Sequence, residues 1–295
     1  MRKSLAIVRA TALEILSEPL SLLVLVVALA MSVLAPAFHY HQFGEPTRMA
    51  RDAGLSAILT CGSVVAVFGT IRAFRREIES GTLEMALAHP VSRVAFFLSK
   101  VAGCIAASVV FMSIVLLTSL VIVYGAAVGG ESARHTGDIA RLWGPCLAAG
   151  VAVIVLPLVV AAALNRFGRF RFVLSAVVVA AVVAALPAVL SVVRRGDLAL
   201  RLAPVAVAVV LPPVLLLTAA AAFAVRFKAN AAVACTGVVF ALLLPAIGNY
   251  FLSDALAKGH SVSWGYVGLA ALALAPAAAL FLLLGIQFIC GRDIS

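Results

Sequence analysis

Charge is scarce in this chain. Of its 295 residues, 12% are Asp, Glu, Lys or Arg and 64% are hydrophobic, against about 25% charged and about 45–50% apolar in soluble domains. A water-soluble fold of this length has too little interior to hide so much apolar surface. No C-x-x-C pair occurs. The five cysteines (Cys61, Cys104, Cys146, Cys235, Cys290) are odd in number and sit within or at the ends of apolar runs. That excludes a disulfide framework or zinc knuckle and reads as small core hydrophobes. No G-x-x-x-x-G-K-[ST] loop is present, so the chain does not cradle nucleotide phosphates in that way. Nor is there a basic stripe with interleaved aromatics, so the net charge of +10 does not indicate nucleic acid. His39, His41, His135 and His260 recur at no ligand spacing and read as loop histidines, with no metal expected.

What is there is a rhythm. The 22 Lys and Arg and the 12 Asp and Glu fall in short clusters. Between them lie eight charge-free stretches, which predict spans at 20–38, 53–71, 101–124, 142–164, 172–193, 203–225, 231–252 and 264–289. Crossing a ~30 Å hydrocarbon core as a helix takes about 20 residues, and a charge at its centre costs roughly 2.5–3.5 kcal/mol. A soluble bundle would show polar stripes at the helical period, and these stretches do not. The expected fold is all-α: a polytopic integral membrane bundle of about eight spans occupying residues 19–295.

Basic residues orient it. With the N-terminus inside, 14 Lys and Arg fall on the cytoplasmic side and 8 opposite, in accord with the positive-inside rule. The exception is the turn carrying Arg194, Arg195 and Arg201; a re-entrant element there would reduce the count to six or seven. The reading is a multi-pass protein of the inner (plasma) membrane with both termini cytoplasmic. Residues 1–18 precede the first span. Leu5, Val8, Ala12, Ile15 and Leu16 repeat at helical spacing, which predicts an amphipathic helix at the cytoplasmic interface; a plain membrane-proximal leader is the other reading. Ala35-Pro36-Ala37 resembles a cleavage site, but Glu14 and Glu18 interrupt what would be the basic n-region, so the first span is read as retained.

The connection 72–100, RAFRREIESGTLEMALAHPVSRVAFFLSK, is the most informative segment. Arg72, Arg75 and Arg76 end the second span at the headgroups. Ser80-Gly81-Thr82 breaks the helix, with Gly81 suited to a left-handed cap and Thr82 to an N-cap. Leu83–Ala88 then forms a short helix, stopped before Pro90. Ser92 caps the third span, and Arg93 and Lys100 lie in its approach. A charged loop that merely joins two spans is equally compatible with these residues.

Glu77, Gly81-Thr82-Leu83-Glu84, Pro90-Val91-Ser92-Arg93 and Lys100 resemble the first cytoplasmic loop of ABC-2 type transporter permeases. The resemblance is dense over about 25 residues, and only the hydropathy layout extends it along the chain. It implies that Glu77, Glu79, Gly81, Thr82, Glu84, Pro90 and Arg93 belong to a coupling helix docking on a separate ATP-hydrolysing subunit. It also implies a second permease subunit, identical or related, and export of cargo. No cofactor is expected on this chain; ATP and Mg belong to the partner. Such permeases commonly have six spans, so eight implies an extra pair, placed between Phe170 and Arg201.

Two other classes compete. An ion-coupled secondary transporter normally places ionisable residues at the midplane, where this chain offers only Asn249 and Gln287 as polar exceptions. An integral membrane enzyme needs a cluster of Asp, Glu or His at the surface, and the Glu77–Glu84 cluster lacks metal spacing. No catalytic residue is assigned. Pro157, Pro187, Pro212, Pro213, Pro245 and Pro276 lie within spans and are candidate kinks, Pro212-Pro213 foremost, because each removes a backbone hydrogen bond.

Overall fold

The computed structural model describes residues 2–34, 46–80, 92–136, 139–168, 171–194, 196–247 and 262–291. Its regular elements among these residues are all helices: α1 Arg2–Leu16, α2 Pro19–Leu34, α3 Pro46–Glu79, α4 Arg93–Thr136, α5 Ile139–Gly168, α6 Phe172–Arg194, α7 Gly196–Arg226, α8 Ala229–Ile247 and α9 Trp264–Cys290. Leu, Ala and Val dominate them, and with no water in hydrocarbon the backbone is satisfied only within the helix itself.

Six helices contain a stretch long and apolar enough to cross a membrane: Thr47–Glu79, Arg93–Ala127, Gly150–Gly168, Phe172–Val193, Ala203–Arg226 and Trp264–Cys290. α1 and α2 meet at a 63° bend and count as a seventh if taken as one broken span. The expected first and seventh spans, 20–38 and 231–252, run beyond the described residues at 35 and 248, so the full set of eight lies partly outside them. The two helices flanking Arg194 and Arg201 are each long enough to cross.

Helix α3 begins seven residues before the expected span and continues past Arg72 to Glu79, as one run of 34 residues. At 1.5 Å per residue that is about 51 Å, well beyond a ~30 Å core. The helix runs past the arginines and ends at Glu79, directly before the expected break at Ser80. Helical hydrogen bonding continues past them, and Arg75 pairs with Glu79 one turn on. The helical assignment also runs unbroken through Pro157, Pro187, Pro212, Pro213, Pro245 and Pro276.

The chain divides into two units. One comprises Leu16–Cys61 and Val110–Ala206. Here α2 packs against α5 and α6, and Val33, Ala50, Ile122, Val123 and Ala126 form a buried core with Leu120 and Ile154 at its edge. Gly150 lets α5 approach α2: a Cβ there would meet Val33 Cγ2 at 2.6 Å and Cγ1 closer still.

The other unit comprises Met1–Ile15, Gly62–Val109 and Val207–Ser295. Its centre is α7, where Leu215, Leu216, Leu217 and Ala219–Ala222 are buried; small residues let neighbouring backbones come close. Phe223 joins α7 to α9 through an edge-on contact with Phe281, centroids 5.8 Å apart. Large apolar side chains elsewhere face outward, among them Leu186, Val193, Leu242 and Leu272, all at least 70% exposed. In water such surface would drive association; in a bilayer it meets its own solvent.

Hydroxyls in the helices follow the same constraint. Ser32 donates to Ala28 O, Thr118 to Ile114 O, Ser119 to Val115 O, Ser191 to Ala188 O, Thr218 to Leu215 O and Thr236 to Ala232 O, each at 2.7–3.0 Å. Each bond returns to the donor's own helix, the local pattern open to Ser and Thr.

Candidate coupling site

The residues on either side of the connection 81–91 lie in one unit, the one containing Gly62–Val109. Gly81, Thr82, Glu84 and Pro90 fall outside the described residues. Glu77 and Glu79 occupy the last turn of α3, and Arg93 opens α4.

The entrance is a helix end. Ser80 N–H donates to Arg76 O at 3.0 Å and its hydroxyl to Glu77 O at 3.4 Å. Glu79 is held by Arg75 at 2.7 Å in an i,i+4 pair with the carboxylate 63% exposed, an arrangement that contributes little stability. At the exit, Ala95 N–H donates to Ser92 Oγ at 3.2 Å and Phe96 N–H to Ser92 O at 3.0 Å. Ser92 thus caps α4, satisfying amides that have no intrahelical acceptor.

Glu77 faces the other way. Its carboxylate forms an ion pair with Lys100, a side chain with no solvent exposure at all. The Lys100 ammonium lies 5.2 Å from the ring centre of Phe74 and 5.9 Å from that of Phe96. Lys100 lies in the approach to the expected third span, seven residues into α4, and there it is enclosed. An ammonium out of water costs several kcal/mol unless it is paired, and Glu77 supplies the pair. Lys100 is absent from the site residues expected from the sequence, although it belongs to the motif that carries the resemblance; the signal for it was a Lys at the edge of an apolar run, one turn after Phe96 and Phe97.

Two further helices meet this cluster. In α1, Thr11 and Ile15 are buried while Leu5 is 70% exposed, so the packed face is centred on 8, 11 and 15 and excludes Leu5. The reason is steric. A Cβ at Gly69 of α3 would touch Ile15 Cγ2 at 3.0 Å, and one at Gly103 of α4 would meet Thr11 Cβ and Val8 O at 2.8 Å. Arg76 also reaches Glu14 of α1 at 3.4 Å. From α9, Cys290 O accepts a hydrogen bond from Arg93 Nη1 at 3.1 Å. A cation at a helix C-terminus satisfies a free carbonyl and opposes the helix dipole. Phe97 is fully buried, against Phe74 on one side (centroids 5.6 Å apart) and Gly285 of α9 on the other.

Four helix ends thus hold the two stems of one connection. The described contacts tie α1, α3, α4 and α9 to one another. Among the described residues, no three of His, Cys, Asp and Glu are grouped to hold a metal, and Cys61, Cys104, Cys235 and Cys290 are free thiols.

A family profile described as ABC-2 family transporter protein matches residues 8–185, more than half of the chain. The chain belongs to this family. It is accordingly a multi-pass membrane permease of the ABC transporter class, a transport subunit rather than an enzyme. The matched part of the permease begins in α1, contains both stems of the connection 81–91 and ends within α6. No curated protein and no solved structure matches it.

Proposed function

We propose that this permease forms the membrane path of an exporter and is driven by a separate ATPase that grips the connection 81–91 through Glu79, Gly81, Thr82, Glu84, Pro90 and Arg93, with Glu77 of the expected coupling set turned to Lys100 at the base of the entrance stem. The observation that carries the reading is the convergence of α1, α3, α4 and α9 on the two stems of that connection. A push on the connection reaches four helices at once, as a transport cycle driven from outside the membrane requires. The sequence lacks a nucleotide-binding loop, which fits a motor on another chain that carries the ATP and Mg. Two permease subunits, identical or related, enclose the path, in the inner (plasma) membrane with both termini cytoplasmic. α1 lies at the cytoplasmic interface with Leu5 toward lipid. The bias of basic residues supports this orientation.

The test is co-purification in detergent with a P-loop ATPase encoded by an adjacent reading frame. A stable complex is expected, with Glu84→Lys or Arg93→Glu abolishing it. Transport by the chain alone in vesicles under an ion gradient would instead make it a secondary transporter and overturn the reading.

A further inference from the structure

We propose that Lys100 is a positioning residue: its enclosed pair with Glu77 fastens the exit stem of the connection 81–91 to the entrance stem, so that the two move as one body. The purpose of such a lock rests on the coupling reading above; its geometry does not.

A lysine near a helix end ordinarily extends its four-carbon stem until the ammonium reaches water. Lys100 does not, and its side chain has no exposure. Glu77, one residue past Arg76, keeps 30% of its side chain exposed while its carboxylate is turned to Lys100. Each helix contributes one charge and one ring to the enclosure: Glu77 and Phe74 from α3, Lys100 and Phe96 from α4. Both rings are nearly fully buried, so the ammonium has left water for one carboxylate and two aromatic faces. Apolar packing of similar volume would hold two helices at least as well. What the ion pair adds is register. The carboxylate is the negative charge that α3 brings to the ammonium, and sliding α3 against α4 by one turn would strand both groups. A connection gripped by a motor needs that fixed register, because independently sliding stems would absorb the stroke.

The experiment is hydrogen exchange with mass spectrometry on the purified chain alone in detergent micelles, comparing wild type, Glu77→Gln and Glu77→Asp. In Glu77→Gln, protection of peptides covering 72–79 and 94–100 falls together by about tenfold or more, because an unpaired enclosed ammonium promotes opening of both stems. Glu77→Asp retains the charge and keeps both within about threefold of wild type, and α5 and α6 exchange as wild type in each variant. Unchanged protection in Glu77→Gln overturns the proposal. So does a loss confined to one stem, a loss spread over the whole chain, or a failure of Glu77→Asp to retain protection. No ATPase is present in the measurement, so its outcome is independent of whether a partner binds.

Discussion

Gly285 faces the end of the Phe97 ring so closely that a Cβ at 285 would meet Cε1 and Cε2 at 3.0 Å and Cζ closer still. Phe97 is fully buried and has no open side into which to move. Gly285→Val therefore costs about 1–3 kcal/mol through overpacking, and Phe97→Ala about 3–5 kcal/mol through the cavity it leaves. Both appear as lowered thermal midpoints in detergent, with Gly285→Ala milder than Gly285→Val.

The contact of Gly150 with Val33 gives a cleaner test, because the obstructing atoms can be removed. Gly150→Ala alone destabilises by overlap with the Val33 methyls. Val33→Ala alone destabilises by opening the buried core. Together they restore one another, with a coupling of about 1–2 kcal/mol in a double-mutant cycle of thermal or denaturant unfolding.

Arg93 separates attachment from stability. It donates to Cys290 O in the last turn of α9, at the protein surface, where a cation on a helix terminus contributes about 0.3–1 kcal/mol. Arg93→Ala therefore shifts the thermal midpoint little. Association with the ATPase falls far more, as co-purification at matched expression will read out.

The ion pairs of this unit differ in their response to salt. Arg76–Glu14 has its guanidinium 72% exposed and Arg75–Glu79 its carboxylate 63% exposed. Such pairs contribute at most about 1 kcal/mol and are screened at high ionic strength. Glu14→Gln is thus nearly silent in 1 M salt. Glu77→Gln keeps most of its effect there, because the Lys100 ammonium is buried and such a pair is screened much less. Thermal unfolding at low and high salt distinguishes the two.

Much of the fold was legible because the bilayer is an exacting solvent. A charge-free run such as 172–193 has one stable outcome in lipid, and α6 spans Phe172–Arg194. Ser92 was legible as a cap because a hydroxyl before an apolar run has few other uses. Lys100 was not, since a basic residue beside a span looks the same whether it reaches outward or is enclosed. Only the arrival of Glu77 and Phe74 from another helix decides which. The packed face of α1 was half legible. Periodicity marked Val8 and Ile15, but Leu5 follows the same period and lies 70% exposed. Glycines 69 and 103, far away in sequence, determine where α1 is held.

The hydroxyls of Ser32, Thr118, Ser119, Ser191, Thr218 and Thr236 all spend their hydrogen on a carbonyl one turn back. At those six points neighbouring helices are held by fit and not by directional bonds. At those points a small displacement of one helix against another breaks no hydrogen bond of these hydroxyls. For a transporter this is the useful kind of surface: well greased at six points along its helices, and bolted at Glu77 and Lys100.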